Sequence, residues 1–410
     1  MASRKDSRGR VLQTGEFQRD DGRYQYTYSD FLGKRHYIYA NDLASLREKE
    51  KKQKMEEWSG LNTYLGQITT LNDLYDRYMK TKYGLRSSTY ASYMQMYNRY
   101  IRDEFGQRLV KSICYSDIQG FYVYLLNQQK ISIRSVEYVH MMLNPAFELA
   151  VKDGIIARNP AKGIFGEIKK ASGLSYNRRH ALSLEEQKAF IDFLDGHPVW
   201  GRYHSIFQVM LGTGLRVGEL CGLRWEDVDF EKRNISVNHG IVNVKAVKGG
   251  PKAHLEISLP KTDSGIRNVP IMDKVLEGFK EEYIYEEARG FPNCTIDGYT
   301  DFIFTKENGT VYTCTRLDNV LAKVVRDYNK QETFLAEQEG REPLLLPKIS
   351  NHILRHTFCT RLCERDVNIK VIQTIMGHAN IKITMDIYAE VSEQKQREEM
   401  DRLASELDVF

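Results

Sequence analysis

The chain has 410 residues, of which 41% are hydrophobic and 28% are charged, and its formal net charge is +4 at pH 7. This length is enough for two or three domains, and no run of about 18 apolar residues is present, which excludes a membrane-spanning helix. The basic first ten residues have no apolar core, so we expect no secretory signal. The six cysteines form no CxxC pair, which is typical of reduced thiols in the cytoplasm and offers no zinc site. The mild positive charge weakly favours a polyanionic partner.

The amino-terminal region is predicted to form a small β module and a charged linker helix. Tyr24, Tyr26 and Tyr28 alternate in RYQYTYS, and KRHYIYA follows after a turn, which is typical of strands. Residues 1–40 carry eight Lys and Arg against five Asp and Glu, and a flat, basic, aromatic-rich sheet can lie in a DNA groove. The simpler alternative is a solvated sheet whose tyrosines form its core. The linker helix follows in the charged segment 43–58.

Residues 69–166 are predicted to be helical throughout, up to the Asn-Pro pair and the two glycines near their end. Within 77–111 there are eight Lys and Arg against two Asp and Glu, interleaved with six tyrosines. Basic side chains neutralise phosphates and tyrosine hydroxyls donate to them, so this surface is a candidate for DNA binding. A charged helical face with tyrosines in its core is an equal alternative. The candidate DNA contacts here are Arg86, Tyr90, Tyr93 and Arg99.

An interdomain linker is predicted for residues 167–180, which are polar and basic, contain Gly and Ser, and show no clear period. Arg178 and Arg179 within it are further candidate DNA contacts. A new helix is predicted to begin at Ser183, because Ser183 and Glu186 have the spacing of a capping box.

One β insertion interrupts the helices of the carboxy-terminal half. Within 235–271, apolar residues alternate over 255–259, the sequence KTDSG supplies a turn, and Arg267, Val269 and Ile271 alternate after it. The pattern predicts a β-hairpin across that turn. Further on, the insert 329–348 has no purpose that its sequence indicates.

The segment LGTGLRVGELCGLRW places Arg216 and Glu219 one helical turn apart, just after two glycines. An arginine beside apolar residues is costly to bury unless an anion meets it. Glu219 can be that anion, in which case the pair is purely structural. In NHILRHTFCTRL, His352 and Arg355 lie on one edge of a helix, where they can address two oxygens of one phosphate. An exposed polar face is the alternative.

The segment MGHANIKITMDIYAEV joins the end of one helix to the start of another. Gly377 is a good helix terminator, so we expect His378 to project from an ordered turn. Tyr388 lies on the next helix, with a packing side predicted to contain Ile383, Ile387 and Val391. Taken alone, Tyr388 is one half-buried tyrosine among 25.

Together these residues suit the displacement of an alkoxide from a phosphodiester, which needs a nucleophile, an acid and cations on the non-bridging oxygens. Arg216 and Arg355 can clamp those oxygens. A phenol has a pKa of about 10, so Tyr388 needs the field of the arginines and a nearby histidine to become a nucleophile. Lys261 enters the hairpin turn and can reach the leaving 5′ oxygen as an acid. Other lysines of the same β region are Lys245, Lys248 and Lys252.

The order of these motifs resembles the tyrosine recombinase, or phage integrase, family over roughly residues 69–400. GRVLQTGEFQRDDGRYQYTY is further similar to the β arm-binding domain of integrases from conjugative transposons. The resemblance implies a mainly α fold with small β elements. Its implied parts are a three-stranded arm-type DNA-binding β domain with a linker helix (1–58), a helical core-binding domain (69–166), a linker (167–180), a mixed α/β catalytic domain (181–395) and a tail helix for protomer exchange (396–410).

The resemblance also implies roles for individual residues. Tyr388 attacks to give a 3′-phosphotyrosyl bond, and Glu219 supports the first arginine. The remaining implied roles are phosphate binding by Arg216 and Arg355, general acid catalysis by Lys261, proton handling by His352 and hydrogen bonding to the phosphate by His378.

The function that the resemblance implies is site-specific integration and excision of a mobile genetic element in the bacterial cytoplasm. No ATP, metal or other cofactor is expected, because the covalent link conserves the energy of the phosphodiester. The implied partners are double-stranded DNA with core and arm-type sites, three further copies in a homotetramer, and an excisionase or DNA-bending accessory protein, with no membrane. Two alternatives remain open: a type IB topoisomerase-like enzyme that relaxes supercoils, and a DNA-binding regulator with an inert site.

Overall fold

The computed structural model describes residues 4–29, 33–58, 63–173, 180–260, 262–392 and 400. The chain divides into two compact units, Met1–Tyr176 and Asn177–Phe410. The described part is mainly helical with small antiparallel sheets, as the sequence predicts. None of the described helices combines the length and apolar character needed to cross a membrane. Predictions that lie outside the described residues are those for Lys261, Arg178, Arg179 and the tail 396–410 apart from Met400.

The first unit opens with a three-stranded antiparallel sheet, β1-β2-β3, packed on one helix. These elements are β1 (Glu16–Gln18), β2 (Tyr24–Ser29), β3 (Arg35–Ala40) and α1 (Leu43–Trp58). Tyr24 and Tyr26 are buried against Leu43 and Leu46 of α1, and Tyr28 packs beside them. The simpler alternative is therefore confirmed for these tyrosines, which form the core of the sheet.

A helical bundle completes the first unit. Its helices are α2 (Thr63–Ile68), α3 (Leu71–Lys80), α4 (Ser87–Tyr100), α5 (Tyr115–Asn127), α6 (Ile133–Lys152) and α7 (Ile164–Ser172). Thr70 caps α3 through a capping box with Asp73. The fully buried rings of Tyr75 and Tyr97 stack with centroids 3.7 Å apart and join α3 to α4.

The predicted linker begins too early. Residues 167–172 are not irregular but complete α7, which follows Gly163. The reason is packing, since Ile164 and Ile168 lie one turn apart and are both buried in the bundle core. Gly163 precedes this last helix and Gly166 lies within it, so neither glycine ends the helical region.

The second unit is built from helices around one large core. Its helices are α8 (Leu184–Leu194), α9 (His204–Thr213), α10 (Val217–Gly222), α11 (Asp273–Arg289), α12 (Cys314–Glu339), α13 (Asn351–Glu364), α14 (Ile369–Met376) and α15 (381–392). Its strands are β4 (Val228–Asp229), β5 (Asn234–Val237), β6 (Gly240–Val244), β7 (His254–Ser258) and β8 (Arg267–Pro270). The capping box of Ser183 and Glu186 starts α8 as predicted.

The predicted hairpin between 255–259 and 267–271 is wrong. β7 pairs with β6, whereas β8 pairs with β5 in the sheet β4-β5-β8. The two strands serve different cores: Val269 is buried in the main core, and Ile257 packs in a small cluster with Phe302. A turn sequence between two segments with alternating apolar residues therefore does not show that the two strands pair with each other.

The β6–β7 pair rests directly on α10. A Cβ atom at Gly218 would lie 2.8 Å from the carbonyl oxygen of Ile241, so only glycine permits this approach. At the end of α10, His239 Nε2 lies 2.7 Å from the carbonyl oxygen of Gly222. These contacts fix the strand pair relative to the helix that follows Arg216.

The insert 329–348 extends α12 and then returns along it. The Asn329 side chain donates to the carbonyl of Leu346 at 2.9 Å and accepts from its N–H at 2.8 Å. Glu332 accepts from the N–H of Leu344 at 2.9 Å and pairs with Arg341. The insert is thus a closed structural extension of the helix, held by its own polar side chains.

Candidate active site

Three arginines from three elements converge on the carboxy-terminal end of α14. Arg267 donates from Nε to the carbonyl of residue 375 at 2.7 Å, Arg355 donates to the carbonyl of 376, and Arg216 donates to that of 377 at 2.6 Å. Carbonyls at a helix end lack intrahelical partners, and the helix dipole favours cations there. Three successive backbone oxygens therefore hold three guanidinium groups together.

Glu219 links two of these arginines. It accepts from Arg216 Nη1 at 2.7 Å, and it receives a bidentate pair from Arg267 at 3.0 and 2.7 Å. Burial raises the pKa of the Glu219 carboxyl, but the charges of Arg267 and Arg216 outweigh burial and bring the pKa below its ordinary value. The predicted ion pair of Arg216 with Glu219 is present, and the Arg216 side chain still remains 41% exposed.

The site carries more positive than negative charge, because three guanidinium groups share one carboxylate. Burial, followed by the repulsion of Arg216, lowers the pKa of Arg355 to about 9. Arginine stays protonated in proteins, so its charge is held here at a cost in free energy. A bound anion would relieve that cost, which makes the site suited to phosphate.

His378 lies at the turn that follows α14. Gly377 ends the helix with φ of +61°, as predicted, and His378 is then buried with Nδ1 2.9 Å from Thr384 Oγ1 of α15. Burial and the neighbouring arginines, Arg355 above all, lower the pKa of His378 to about 4. The imidazole is thus neutral at pH 7 and can hydrogen-bond a phosphate without adding charge.

Tyr388 lies on the side of α15 that faces this turn. Thr384, which contacts His378, is one helical turn before it, and Tyr388 packs against the cluster that contains Phe358 and Met376. The prediction that Ile383 belongs to this packing side is wrong, since Ile383 is 50% exposed. Thr384 occupies that side instead, because its hydroxyl meets the buried imidazole.

His352 and Arg355 differ in their surroundings despite their spacing. Arg355 is 7% exposed and donates to the carbonyl of Gly214 at 2.6 Å, whereas His352 is exposed in the first turn of α13. The alternative of an exposed polar face is therefore wrong for Arg355. Arg355 belongs to the arginine cluster, and His352 lies three residues earlier on the same helix.

Arg267 is the functional candidate that sequence reasoning missed. Its alternation with Val269 and Ile271 was recognised, and these two side chains are buried. A buried arginine needs an anionic partner, and the sequence indicates one three positions after Arg216 but none at that spacing after Arg267. The partner, Glu219, lies 48 positions earlier in the chain, so no local spacing indicated the contact.

The candidate DNA contacts of α4 do not form one surface. Arg86 occupies the N-cap position without a capping hydrogen bond from its side chain, Tyr90 is 38% exposed, and Tyr93 is half-buried with its ring 5.3 Å from that of Tyr138. At about 3.6 residues per turn, these three share one side of α4, and Arg99 lies on the opposite side. The structure thus groups three of the four residues.

The amino-terminal sheet presents an exposed aromatic face opposite α1. Tyr37 and Tyr39 of β3 are 51% and 44% exposed, and Phe17 of β1 is 52% exposed. Arg19 lies over the ring of Tyr39 at 5.5 Å. Arg35 is exposed on the same side of β3. The alternation in KRHYIYA indicates this face, whereas Tyr24 and Tyr26 of β2 are buried.

An arginine cluster beside a tyrosine-bearing helix suits an enzyme in which a tyrosine displaces an alkoxide from a phosphodiester. Comparison with known proteins then gives the particular family. Residues 180–395 match the phage integrase family, residues 1–56 match the DNA binding domain of Tn916 integrase, and residues 70–126 match the N-terminal SAM-like domain of phage integrases. The chain belongs to the phage integrase family.

The chain is 28% identical to the transposase from transposon Tn916 of Enterococcus faecalis, over 98% of this chain and 97% of that protein. It is 29% identical to the integrase of transposon Tn1549 in a complex with transposon right end DNA, covering 82% of this chain and 100% of that one with a TM-score of 0.68. A lambda integrase tetramer bound to a Holliday junction shares the fold, at 19% identity, 90% and 97% coverage and a TM-score of 0.51. The chain is thus a tyrosine-type site-specific recombinase of a mobile genetic element.

Proposed function

We propose that the arginine cluster binds the scissile phosphate of a DNA strand, and that Tyr388 attacks this phosphate during integration and excision. The observation that carries the proposal is the excess of positive charge at the end of α14, beside a neutral histidine and the tyrosine-bearing helix. The relatives that carry transposon DNA in their structures support DNA as the substrate.

The exposed Arg216 contacts the non-bridging oxygens in this proposal. Arg355 is more buried than Arg216 and binds the same phosphate, where its fixed charge stabilises the negative charge that develops at phosphorus. His378 donates a hydrogen bond to the same phosphate. Charge that is fixed before the substrate arrives needs no reorganisation during the reaction.

The covalent step proceeds by displacement at phosphorus. The Tyr388 oxygen forms a bond to phosphorus, the bond from phosphorus to the 5′ oxygen breaks, and a 3′-phosphotyrosyl link and a free 5′ hydroxyl result. The phenol proton passes to His352, and Lys261 protonates the leaving oxygen. Attack by a 5′ hydroxyl from another strand reverses these bonds, so no ATP or metal is required.

Residues on either side of Lys261 support its assignment over the other lysines of this region. Pro260 lies against Gly265, whose carbonyl accepts from Arg267 at 3.3 Å. Lys252 lies before β7 and Pro260 after it, so about 17 Å of strand separates these ends. The lysines before β7 are thus directed to the other end of the strand pair.

Further parts of the proposal concern DNA and assembly. We assign arm-type DNA to the exposed sheet face of domain 1–58, and core DNA to domain 69–166 together with catalytic domain 181–395. Two duplexes must be cut in a coordinated way, and a lambda integrase forms a tetramer on a Holliday junction, which supports a homotetramer. An excisionase or DNA-bending protein assists in this proposal, and the reaction takes place on DNA in the bacterial cytoplasm.

A nicked suicide substrate tests the nucleophile. The wild-type chain is expected to form a covalent DNA adduct, and Tyr388→Phe is expected to form none because the attacking oxygen is absent. Tyr37→Phe is the matched control on a core-site substrate, since Tyr37 is exposed on the sheet assigned to arm-type DNA, and it should form adduct at the wild-type rate. An adduct formed by Tyr388→Phe would contradict the assignment.

A further inference from the structure

Arg267 is the most enclosed of the three arginines. Its side chain is 2% exposed, against 41% for Arg216. All three of its guanidinium nitrogens donate hydrogen bonds. Nη1 and Nη2 donate to Glu219, Nη1 also donates to the carbonyl of Gly265, and Nε donates to the carbonyl of Ile375. A group enclosed in this way and already bonded on every nitrogen has no side open to a DNA phosphate.

The turn that carries His378 lies directly on this guanidinium group. A Cβ atom at Gly377 would lie 3.0 Å from both Cδ and Nη1 of Arg267. Arg267 therefore touches the turn over its length and also holds its first carbonyl. If Arg267 is lost, the turn keeps its hydrogen bonds to Arg216 and Arg355 but loses the side chain that packs against Gly377.

Arg267 also determines how the two carboxylate oxygens of Glu219 are shared between the arginines. Arg267 binds both oxygens of this carboxylate, and Arg216 binds Oε1 alone through its side chain. Without Arg267, Glu219 is free to take Arg216 as a bidentate partner, which is the geometry that carboxylates prefer. Arg216 would then be drawn away from the position in which it meets a phosphate.

We propose that Arg267 is a positioning residue for strand cleavage, which sets Arg216 through Glu219 and sets His378 through the turn 375–377. This inference rests on the proposed function, because it assumes that Arg216 and His378 meet the phosphate. Arg267 itself touches neither DNA nor the nucleophile.

A buried ion pair elsewhere in the same unit provides a matched control. Arg202 binds Glu282 through two hydrogen bonds of 2.8 and 2.6 Å, and the two side chains are 17% and 0% exposed. Loss of either arginine leaves a buried carboxylate with fewer hydrogen-bond partners and destabilises the protein. Only the loss of Arg267 is expected to change the cleavage step of the protein that remains folded.

The experiment compares Arg267→Lys, Arg267→Met, Arg202→Lys and Arg202→Met in the full chain. Measurements are the melting temperature, the Kd for core-site DNA and the single-turnover rate of adduct formation with protein in excess, scaled to the folded fraction. Arg267→Met is expected to cleave about 10²-fold more slowly, the effect of a misplacement of about 1 Å, with Kd changed less than about threefold. Arg267→Lys should recover part of the rate, because an ammonium keeps the charge but not the fork.

Glu219→Gln completes the test. If Arg267 acts through Glu219, the effects of the two substitutions are not additive, because both residues belong to one unit. The double variant Arg267→Met with Glu219→Gln should then cleave at a rate within about threefold of the slower single variant. Wild-type rates for both Arg267 variants, or equal losses for the matching Arg202 variants, would overturn the positioning role. Failure of the proposed function is seen separately, as a wild-type chain without an adduct or as an adduct in Tyr388→Phe.

Discussion

Burial gives Arg355 and His378 properties that exposed side chains of the same type do not have. Both lie beside the same turn, and the positive charges of Arg355, Arg216 and Arg267 all face the imidazole. The only polar side chain bonded to the imidazole among the described residues is the neutral Thr384. A histidine in these surroundings takes up a proton only when the solution is strongly acidic.

The titration of His378 follows from these surroundings. Because the folded pKa of about 4 lies below the ordinary value of 6.5, the neutral form contributes stability that is present above pH 6.5 and is lost as the pH falls toward 4. NMR of histidine-labelled protein should show, among its imidazole signals, a signal that shifts only below about pH 5 and is missing in His378→Gln. A His378 signal that titrates near pH 6.5 would contradict this prediction.

Residue spacing predicts those side-chain contacts that are local in the chain. Arg216 and Glu219 are three positions apart, and Ser183 and Glu186 form a capping box, so spacing alone predicted both pairs. Arg267 reaches Glu219 across 48 positions, and that contact depends on which strands pair. Sequence periodicity indicates that a side chain is buried, but it does not indicate what the side chain meets.

At the scale of elements, the close approach of α10 to β6 is the feature that can be tested most directly. A Cβ atom at Gly218 would lie 2.8 Å from a backbone oxygen, which cannot move without the strand. Gly218→Ala is therefore expected to lower the free energy of unfolding of the second unit by about 1–3 kcal/mol. The melting temperature of this unit and the rate of adduct formation should both fall.

Gly120→Ala is the control for this substitution. Gly120 lies inside α5, and no atom would lie within 4 Å of a Cβ atom there. Alanine favours helix by about 0.5–1 kcal/mol over glycine, so the first unit should become slightly more stable. Equal effects of the two substitutions would show that α10 and β6 do not depend on this contact.

The exposed face of the amino-terminal sheet gives a second prediction at this scale. Arg35 lies on that face with Tyr37 and Tyr39. If the face meets DNA, Arg35→Ala should weaken binding to arm-type DNA and reduce the salt slope of log K by about 0.9, the value for one lost phosphate contact. Tyr124 is an exposed tyrosine of α5, and Tyr124→Ala should leave the binding of arm-type DNA unchanged. Arg35→Ala should leave the rate of adduct formation on a core site unchanged.

The strand pairing shows why elements were predicted better than their partners. Alternation correctly located residues of β7 and β8, because side-chain direction depends on the strand itself. Pairing depends on which core receives each buried face, and this is decided by residues far apart in the chain. The same reason explains why α7 extends into the predicted linker. Its isoleucines are buried in the core of the bundle, which the neighbouring glycines do not indicate.

At the scale of the whole molecule, assembly separates recombination from simple strand relaxation. On DNA with paired attachment sites, the Tyr388→Phe chain should assemble with four protomers per complex, measured by sedimentation. The wild-type chain should leave supercoiled DNA without attachment sites unrelaxed, because a lone protomer lacks its assembly partners. Relaxation of such DNA by one protein per molecule would instead favour a topoisomerase-like enzyme.

The end of α14 has a consequence for the protein when no DNA is present. Three like charges side by side would repel one another, yet successive peptide oxygens and one carboxylate satisfy them within the fold. In the proposed function, those oxygens stand in for phosphate oxygens until a phosphodiester competes for Arg216, the most exposed of the three. The three guanidinium groups are then already held together before the substrate is met, and searching along a chromosome would require no assembly of this cationic centre at each new site.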